Sequence, residues 1–185
     1  DFSLASSEVP STELQISYIE QLAGLAQKLH TGIIRVFTAY ERSTETPMAC
    51  WLRLTPVFQE MCDRVAQFGV TLAIQNHHDM AIATPALLEF LSDIDRSNCK
   101  LGFDAWSPAL RGEDLYESAH LAAQHTVITT NADYVRFPRF QYQPELVNYS
   151  RNDVDMVRAV PFGEGFIDFP AFFAGLTEGG FNGIA

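Results

Sequence analysis

The sequence lacks the features of a membrane protein, a nucleic-acid binder or a disulfide-rich secreted domain. No uninterrupted apolar run approaches roughly 18 residues, so no membrane span is expected. The formal net charge of −11 repels phosphate backbones and anionic lipids, which argues against nucleic-acid and membrane partners. The cysteines are odd in number, far apart and without a CxxC pair: Cys50, Cys62 and Cys99. This pattern predicts a reduced, cytoplasmic protein.

Glycine-rich phosphate-binding loops are also absent. Neither G-x-G-x-x-G nor G-x-x-x-x-G-K-[ST] follows any apolar segment, which argues against the open nucleotide-binding folds. No repeat, low-complexity tract or linker divides the 185 residues, and a hydrophobic content of 47% suffices for a core. We therefore expect residues 1–185 to form a single domain.

The sequence does contain short apolar segments that alternate with amphipathic segments. The predicted strands are GIIRVFT (32–38), VTLAIQN (70–76), CKLGFDAW (99–106), TVITTNA (126–132) and FNGIA (181–185). Helices are predicted from spacings of three and four between apolar residues at 12–29, from Thr55-Pro56 to Gly69, after Thr84-Pro85, at 115–122 and after Asp168. Buried strands that alternate with helices indicate βαβ units and a parallel sheet, either open or closed into a barrel.

Polar residues lie at or just after the carboxyl end of each of the first four predicted strands. They are Thr38 and Glu41, Gln75 to Asp79, Asp104, and Thr129 to Asp133. Barrels of alternating strands and helices build their sites at this rim from several strand ends. The pattern therefore favours a barrel.

Three segments resemble the xylose isomerase-like (β/α)8 barrels, also called sugar phosphate isomerases/epimerases: GVTLAIQNHHD, LGFDAW and PFGEGFIDFPAFFAGLTEGGFNGIA. The last is the most specific, because the family's segment before the final helix reads nearly G-E-G-x-I-D-F. The resemblance implies an α/β fold, a TIM barrel that is incomplete in this chain. The chain would run from about the end of the third to the start of the eighth βα unit, so we expect a longer native protein.

The resemblance also implies a metal site, since family members usually hold one divalent ion with four side chains. By motif, the fifth-strand glutamate becomes Gln75, the sixth-strand aspartate is Asp104, and the seventh-strand histidine becomes Thr130. The eighth-strand glutamate would lie just beyond Ala185. A glutamine oxygen carries no charge and accepts no proton at neutral pH. A divalent metal (Mn, Mg, Co or Zn) would therefore be held weakly, because of Gln75 and Thr130.

The two histidines after this strand leave two interpretations open. Adjacent strand residues point to opposite faces, so at most one of His77 and His78 faces the axis unless the strand has ended. In one interpretation, an imidazole such as that of His78 joins Asp104 and an unseen glutamate in a two-carboxylate, one-histidine site, which suits Mn, Fe, Co or Zn. Gln75 is the remaining candidate metal ligand. In the other, Asn76 and His77 satisfy loop backbone groups, and the pocket works without metal.

The candidate catalytic residues are Gln75, His77 and Asp104. Asp104 is either a ligand or acid/base group, or the cap of a turn. Trp106 either stacks on a sugar ring or packs in the core. Gln75 would donate a hydrogen bond to a substrate hydroxyl, and Arg35 would hold the substrate.

Residues 134–160 form a long, irregular connection with four arginines, of which Arg136 and Arg139 are candidate substrate ligands. Arginine forks match phosphate and carboxylate groups. The alternative is a structural flap or a subunit contact in a homo-oligomer. Long connections of this kind lie near barrel pockets.

Three further positions are predicted to be structural. Gly163-Glu164-Gly165 forms a turn in which glycine permits the backbone geometry. Asp168 is predicted to cap the last helix, and Asp133 to orient neighbouring groups.

The resemblance implies an isomerase or epimerase that acts on a small carbohydrate. Its chemistry removes a proton next to a carbonyl through an enediolate, with a metal that neutralises the oxyanion. The alternatives are a lyase, dehydratase or sugar-modifying hydrolase on the same fold, or a non-catalytic sugar-binding barrel with a degraded metal site. An endonuclease of this fold fits the acidic charge poorly.

Overall fold

The fold is built on a parallel sheet whose strands pair in the order of the chain. The computed structural model describes residues 11–40, 44–77, 80 and 83–185. Four parallel strands lie side by side: β1 Ile33–Val36, β2 Thr71–Gln75, β3 Cys99–Gly102 and β4 Thr126–Ile128. A single parallel bridge joins Ile128 to Ile184, where the next strand begins. The predicted α/β fold, a partial barrel, is confirmed.

Helices connect these strands and cover the sheet. They are α1 Ser11–Lys28, α2 Pro47–Ala66, α3 Thr84–Ile94, α4 Trp106–Arg111, α5 Leu115–Ala122 and α6 Phe169–Glu178. Short 3-10 turns lie at Ala123–His125 and Pro144–Leu146. Within the described part of the chain, no helix is long and apolar enough to cross a membrane.

The core lies between the sheet and the helices. Four phenylalanines are fully buried there: Phe58, Phe90, Phe103 and Phe172. Each buried side chain of this size stabilises the fold by about 1.5–3 kcal/mol through the hydrophobic effect. Asp168 caps α6, since its carboxylate accepts a hydrogen bond from the backbone N–H of Ala171 at 3.0 Å, as predicted.

The predicted start of α2 at Thr55-Pro56 is wrong. The helix begins at an earlier pair with the same chemistry, where the Thr46 hydroxyl accepts from the N–H of Ala49 and Pro47 takes the first position. Pro56 lies inside the helix. Two equivalent start signals nine residues apart cannot be ranked by local pattern alone.

The spacing in the sequence predicts Tyr18, Leu22, Leu25 and Leu29 as the buried face of α1, and the structure differs. Tyr18, Leu25 and Leu29 are exposed, while Ile16 and the alanines at 23 and 26 are buried. These three side chains lie at helical spacing, on one face of α1. The face with the larger apolar side chains was therefore wrongly predicted to be the buried one.

Residues 133–160 form two antiparallel ribbons where an irregular segment was expected. β5 Asp133–Phe137 pairs with β8 Met156–Val160, and β6 Phe140–Gln143 pairs with β7 Asn148–Arg151. The alternation of aromatic and polar residues in β6 suits an exposed strand. Because these ribbons lie outside the core, no buried apolar run marks them.

Candidate functional site

A cavity of about 250 Å³ lies at the carboxyl ends of the parallel strands. Its wall includes six side chains that carry the chemistry of the site: Gln75, His77, Asp104, Trp106, Thr130 and Tyr134. They come from the ends of β2 and β3 and from the segment after β4. The structure thus brings together the three candidate catalytic residues, Gln75, His77 and Asp104, which are separated in the sequence. The volume suits a small ligand, since drug-sized ligands need roughly 300 Å³ or more.

Gln75, the last residue of β2, connects two other residues of the cavity. Its Nε2 donates to Oδ2 of Asp104 at 2.5 Å and to Oγ1 of Thr130 at 3.0 Å. Both amide hydrogens are therefore engaged within the protein, and donation from Gln75 to a substrate hydroxyl stays a prediction. Its Oε1 is buried and has no hydrogen-bond partner within the described residues.

Asp104 takes the turn-capping role that the sequence offered for it, and its role as ligand or acid/base group stays a prediction. Its Oδ1 accepts from the backbone N–H groups of Trp106 at 3.1 Å and Ser107 at 3.3 Å, so the carboxylate supports the start of α4. It also lines the cavity, although only 3% of the residue is exposed. Burial raises the pKa of Asp104, and the hydrogen bond from Gln75 opposes this rise.

Asn76 holds the ends of β2 and β3 together. Its side-chain Nδ2 donates to the carbonyl of Asp104 at 2.9 Å, and its Oδ1 accepts from the N–H of Asp104 at 2.8 Å. The Ser107 hydroxyl donates to the carbonyl of Asn76. The predicted role of Asn76, to satisfy backbone groups, is confirmed, and it fixes where Asp104 lies.

Aromatic rings form one wall of the cavity. The His77 ring lies edge-on between Phe37 at 5.6 Å and Trp106 at 5.5 Å, measured between ring centroids. Trp106 stacks on Tyr134 at 4.3 Å and 19°. The Trp106 indole N–H is buried and has no partner in the part of the chain that the structure describes. Burial, together with the charge of Asp104, raises the pKa of Tyr134.

The sequence did not identify Phe37 and Tyr134 as site residues. Tyr134 follows Asp133 directly, but its stacking partner lies 28 positions earlier. The one available signal was position: Phe37 lies near the carboxyl end of a predicted strand, and Tyr134 lies just after another.

The three candidate substrate arginines lie in different places. Arg35 lines the cavity, with its guanidinium 5.3 Å from the Phe37 ring. Arg136 lies 4.0 Å over Phe166 and donates to the carbonyl of Ala109 at 3.0 Å. Neither Arg136 nor Arg139 lines the described cavity. Among the three, the structure thus places only Arg35 at the cavity.

Asp133 anchors the turn that closes the chain beside the site. Its Oδ2 accepts from the N–H groups of Gly163 at 2.9 Å and Gly165 at 2.8 Å. Burial alone would raise the pKa of Asp133, but hydrogen bonds from these amides and from that of Tyr134 hold it below its usual range. Asp133 thus orients the turn and the start of the segment that carries Tyr134.

The family comparison decides the identity of this fold. The model of the xylose isomerase-like TIM barrel matches residues 1–185. The chain belongs to this xylose isomerase-like family. Comparison with curated proteins gives no significant match.

Solved structures share this xylose isomerase-like fold at low identity. A D-tagatose 3-epimerase-like protein superposes with a TM-score of 0.76 at 19% identity and covers 100% of this chain and 65% of its own. The probable 3-DHS dehydratase AsbF from Bacillus anthracis gives 0.73 at 19%, with coverages of 100% and 66%. The IolI protein with a bound zinc atom gives 0.75 at 18%, with 97% and 61%. The chain thus spans less than two thirds of each of these proteins.

The residues at the family's metal positions do not fit a divalent ion. Gln75 turns its amide nitrogen, which is no metal ligand, toward both Asp104 and Thr130. Within the described ranges, no group of three or more histidine, cysteine, aspartate or glutamate side chains could hold a metal. His78, the other candidate ligand, lies outside the described residues. The described donors at these positions thus do not fit a divalent ion.

Proposed function

We propose that the protein is an isomerase or epimerase that moves a proton next to the carbonyl of a small sugar or related polyol. One observation carries the proposal: the carboxylate of Asp104 and the imidazole of His77 line the same cavity. Two groups of this kind supply the base and the acid that proton transfer through an enediolate requires. The epimerases among proteins of this fold support the choice of substrate class.

The proposed roles follow from the contacts of each residue. Trp106, stacked on Tyr134, offers an aromatic face to the C–H face of a sugar ring. Arg35 supplies positive charge for the oxygen that becomes an oxyanion. Asp104 removes the proton, and His77 returns one. Arg136 and Arg139 can contact a substrate only if the segment that carries them moves toward the cavity.

Solvent exchange tests this function. The full-length protein is incubated in D2O with a panel of ketoses and their phosphates, and deuterium at the carbon next to the carbonyl is followed by proton NMR. We expect exchange with at least one member of the panel, and its loss in Asp104→Asn, because the amide accepts no proton. The control is Asp153→Asn, which removes an exposed carboxylate away from the cavity wall.

The same experiment separates the alternatives. A dehydratase or lyase would use the same acid and base, and loss of water or cleavage would appear as a new product. A non-catalytic sugar-binding barrel is favoured by Gln75, which accepts no proton. That alternative predicts binding without exchange.

We further propose a cytoplasmic location, with a small carbohydrate as substrate and neither nucleic acid nor membrane as partner. The cysteines at 50, 62 and 99 are buried, and no disulfide joins them within the described residues, in keeping with a reducing compartment. We also propose that the protein forms a homo-oligomer through the exposed aromatic side chains of β6 and β7. Sedimentation of the full-length protein tests this proposal.

A further inference from the structure

The amide of Gln75 makes the contacts that a cation would otherwise make at the carboxylate. An amide nitrogen carries two hydrogens, and here one is directed to Oδ2 of Asp104 and the other to Oγ1 of Thr130. Such donors stabilise a carboxylate by partial positive charge, as a metal does by full charge. A metal at Oδ2 of Asp104 would compete with the first of these bonds.

Each oxygen of Asp104 is already engaged within the protein. Oδ1 accepts from two backbone N–H groups of α4, and Oδ2 accepts from Gln75. Asn76 fixes the backbone of Asp104 through two further hydrogen bonds. The carboxylate is thus held in place by hydrogen bonds from residues of this chain.

We propose that Gln75 is a positioning residue that replaces a divalent metal at Asp104. The centre formed by Gln75, Asp104 and Thr130 therefore works metal-free. Catalysis by this centre rests on the proposed function, whereas its lack of affinity for a divalent metal is independent of that function.

Substitution of Gln75, followed by substitution of Thr130, should convert the centre into a metal site. Gln75→Glu keeps the shape of the side chain but places a second carboxylate against Asp104, and two such charges need a cation or a shared proton. Adding Thr130→His supplies an imidazole, which completes a ligand set that suits Mn, Co or Zn. The wild-type residues offer one carboxylate and two neutral oxygens at these positions.

Metal binding is the first readout. Full-length wild-type protein, Gln75→Glu and the double variant with Thr130→His are dialysed against Mn²⁺, Co²⁺ or Zn²⁺ and analysed by plasma mass spectrometry and calorimetry. We expect no stoichiometric ion in the wild type, and affinity roughly 10–100-fold higher in the double variant. Gln143→Glu is the matched control, because Gln143 bonds only Ser150 in the described hydrogen-bond network, away from the cavity.

A second readout separates positioning from a purely structural role. Gln75→Met keeps the volume but loses both hydrogens, so we expect slower deuterium exchange and a shifted pH profile at a similar melting temperature. In Gln75→Glu, we expect deuterium exchange only when a divalent metal is added. An unchanged pH profile in Gln75→Met would overturn the positioning role.

A stoichiometric ion in the wild-type protein that is lost on Asp104→Ala or on His78→Ala would overturn the metal-free centre. This measurement needs no folded variant at position 75 and no known substrate. If no sugar shows exchange while the wild type holds no metal, the proposed reaction fails and the metal-free centre stands.

Discussion

The carboxylate of Asp133 fills the space that a side chain at Gly165 would need. A Cβ atom added to Gly165 would collide with Oδ1 and Cγ of Asp133 and with the carbonyl oxygen of Tyr134. This relationship gives the G-E-G segment a physical reason. Gly165 permits the close approach through which its own N–H binds the carboxylate, and Gly163 adopts a φ of 88° that favours glycine.

Gly165→Ala should therefore destabilise the protein. Overpacking against a buried carboxylate and backbone lowers the free energy of unfolding by about 1–3 kcal/mol. Urea denaturation of the full-length protein measures this change. Gly24→Ala, within helix α1, is the control. The nearest atom to a Cβ added at Gly24 is 3.6 Å away, which is ordinary van der Waals contact. An equal loss at both positions would contradict the explanation.

Asp133→Asn should lower stability in a pH-dependent way. The pKa of Asp133 is below its usual range in the folded protein, so its stabilisation is present above the unfolded pKa of about 4 and is lost as the pH falls through the folded pKa. At pH 7 we expect the variant to be less stable by roughly 1–3 kcal/mol. The difference between wild type and variant should shrink below about pH 4 in denaturation curves. A difference that stays constant as the pH falls well below about 4 would contradict this assignment.

Asn76→Ala should weaken both the fold and the site. The variant leaves the N–H and carbonyl of Asp104 without their partners from Asn76, and each unsatisfied buried group costs about 1–3 kcal/mol. We expect a lower melting temperature and weaker ligand binding. Gln141→Ala, in the exposed ribbon, is the control and should change neither. Full retention of stability in Asn76→Ala would contradict the role of Asn76.

Much of the fold could be predicted because its signals are local. The apolar runs of β2 and β3, the cap at Asp168 and the turn at 163–165 each depend on neighbouring residues in the sequence. The start of α2 failed because two threonine-proline pairs carry the same signal. The ribbons of 133–160 failed because exposed strands lack a buried apolar run.

The sequence identified several residues of the site but not the contacts between them. Gln75, His77 and Asp104 could be named from strand ends, since parallel strands bring those ends together. The bond from Gln75 to Thr130 spans 55 positions, and the stack of Trp106 on Tyr134 joins different elements. Such pairs depend on tertiary packing, which no spacing in the sequence encodes.

The indole N–H resonances of the two tryptophans test the central claim, that this cavity binds a small carbohydrate. Trp106 lines the cavity, whereas the indole of Trp51 donates to Asp93 at 2.8 Å and lies outside the cavity wall. Full-length ¹⁵N-labelled protein is titrated with the ketose panel, and Trp106→Phe assigns the signal. The account predicts a saturable shift of the Trp106 resonance with an unchanged Trp51 resonance. A panel that leaves the Trp106 resonance unmoved, or that moves both equally, would contradict it.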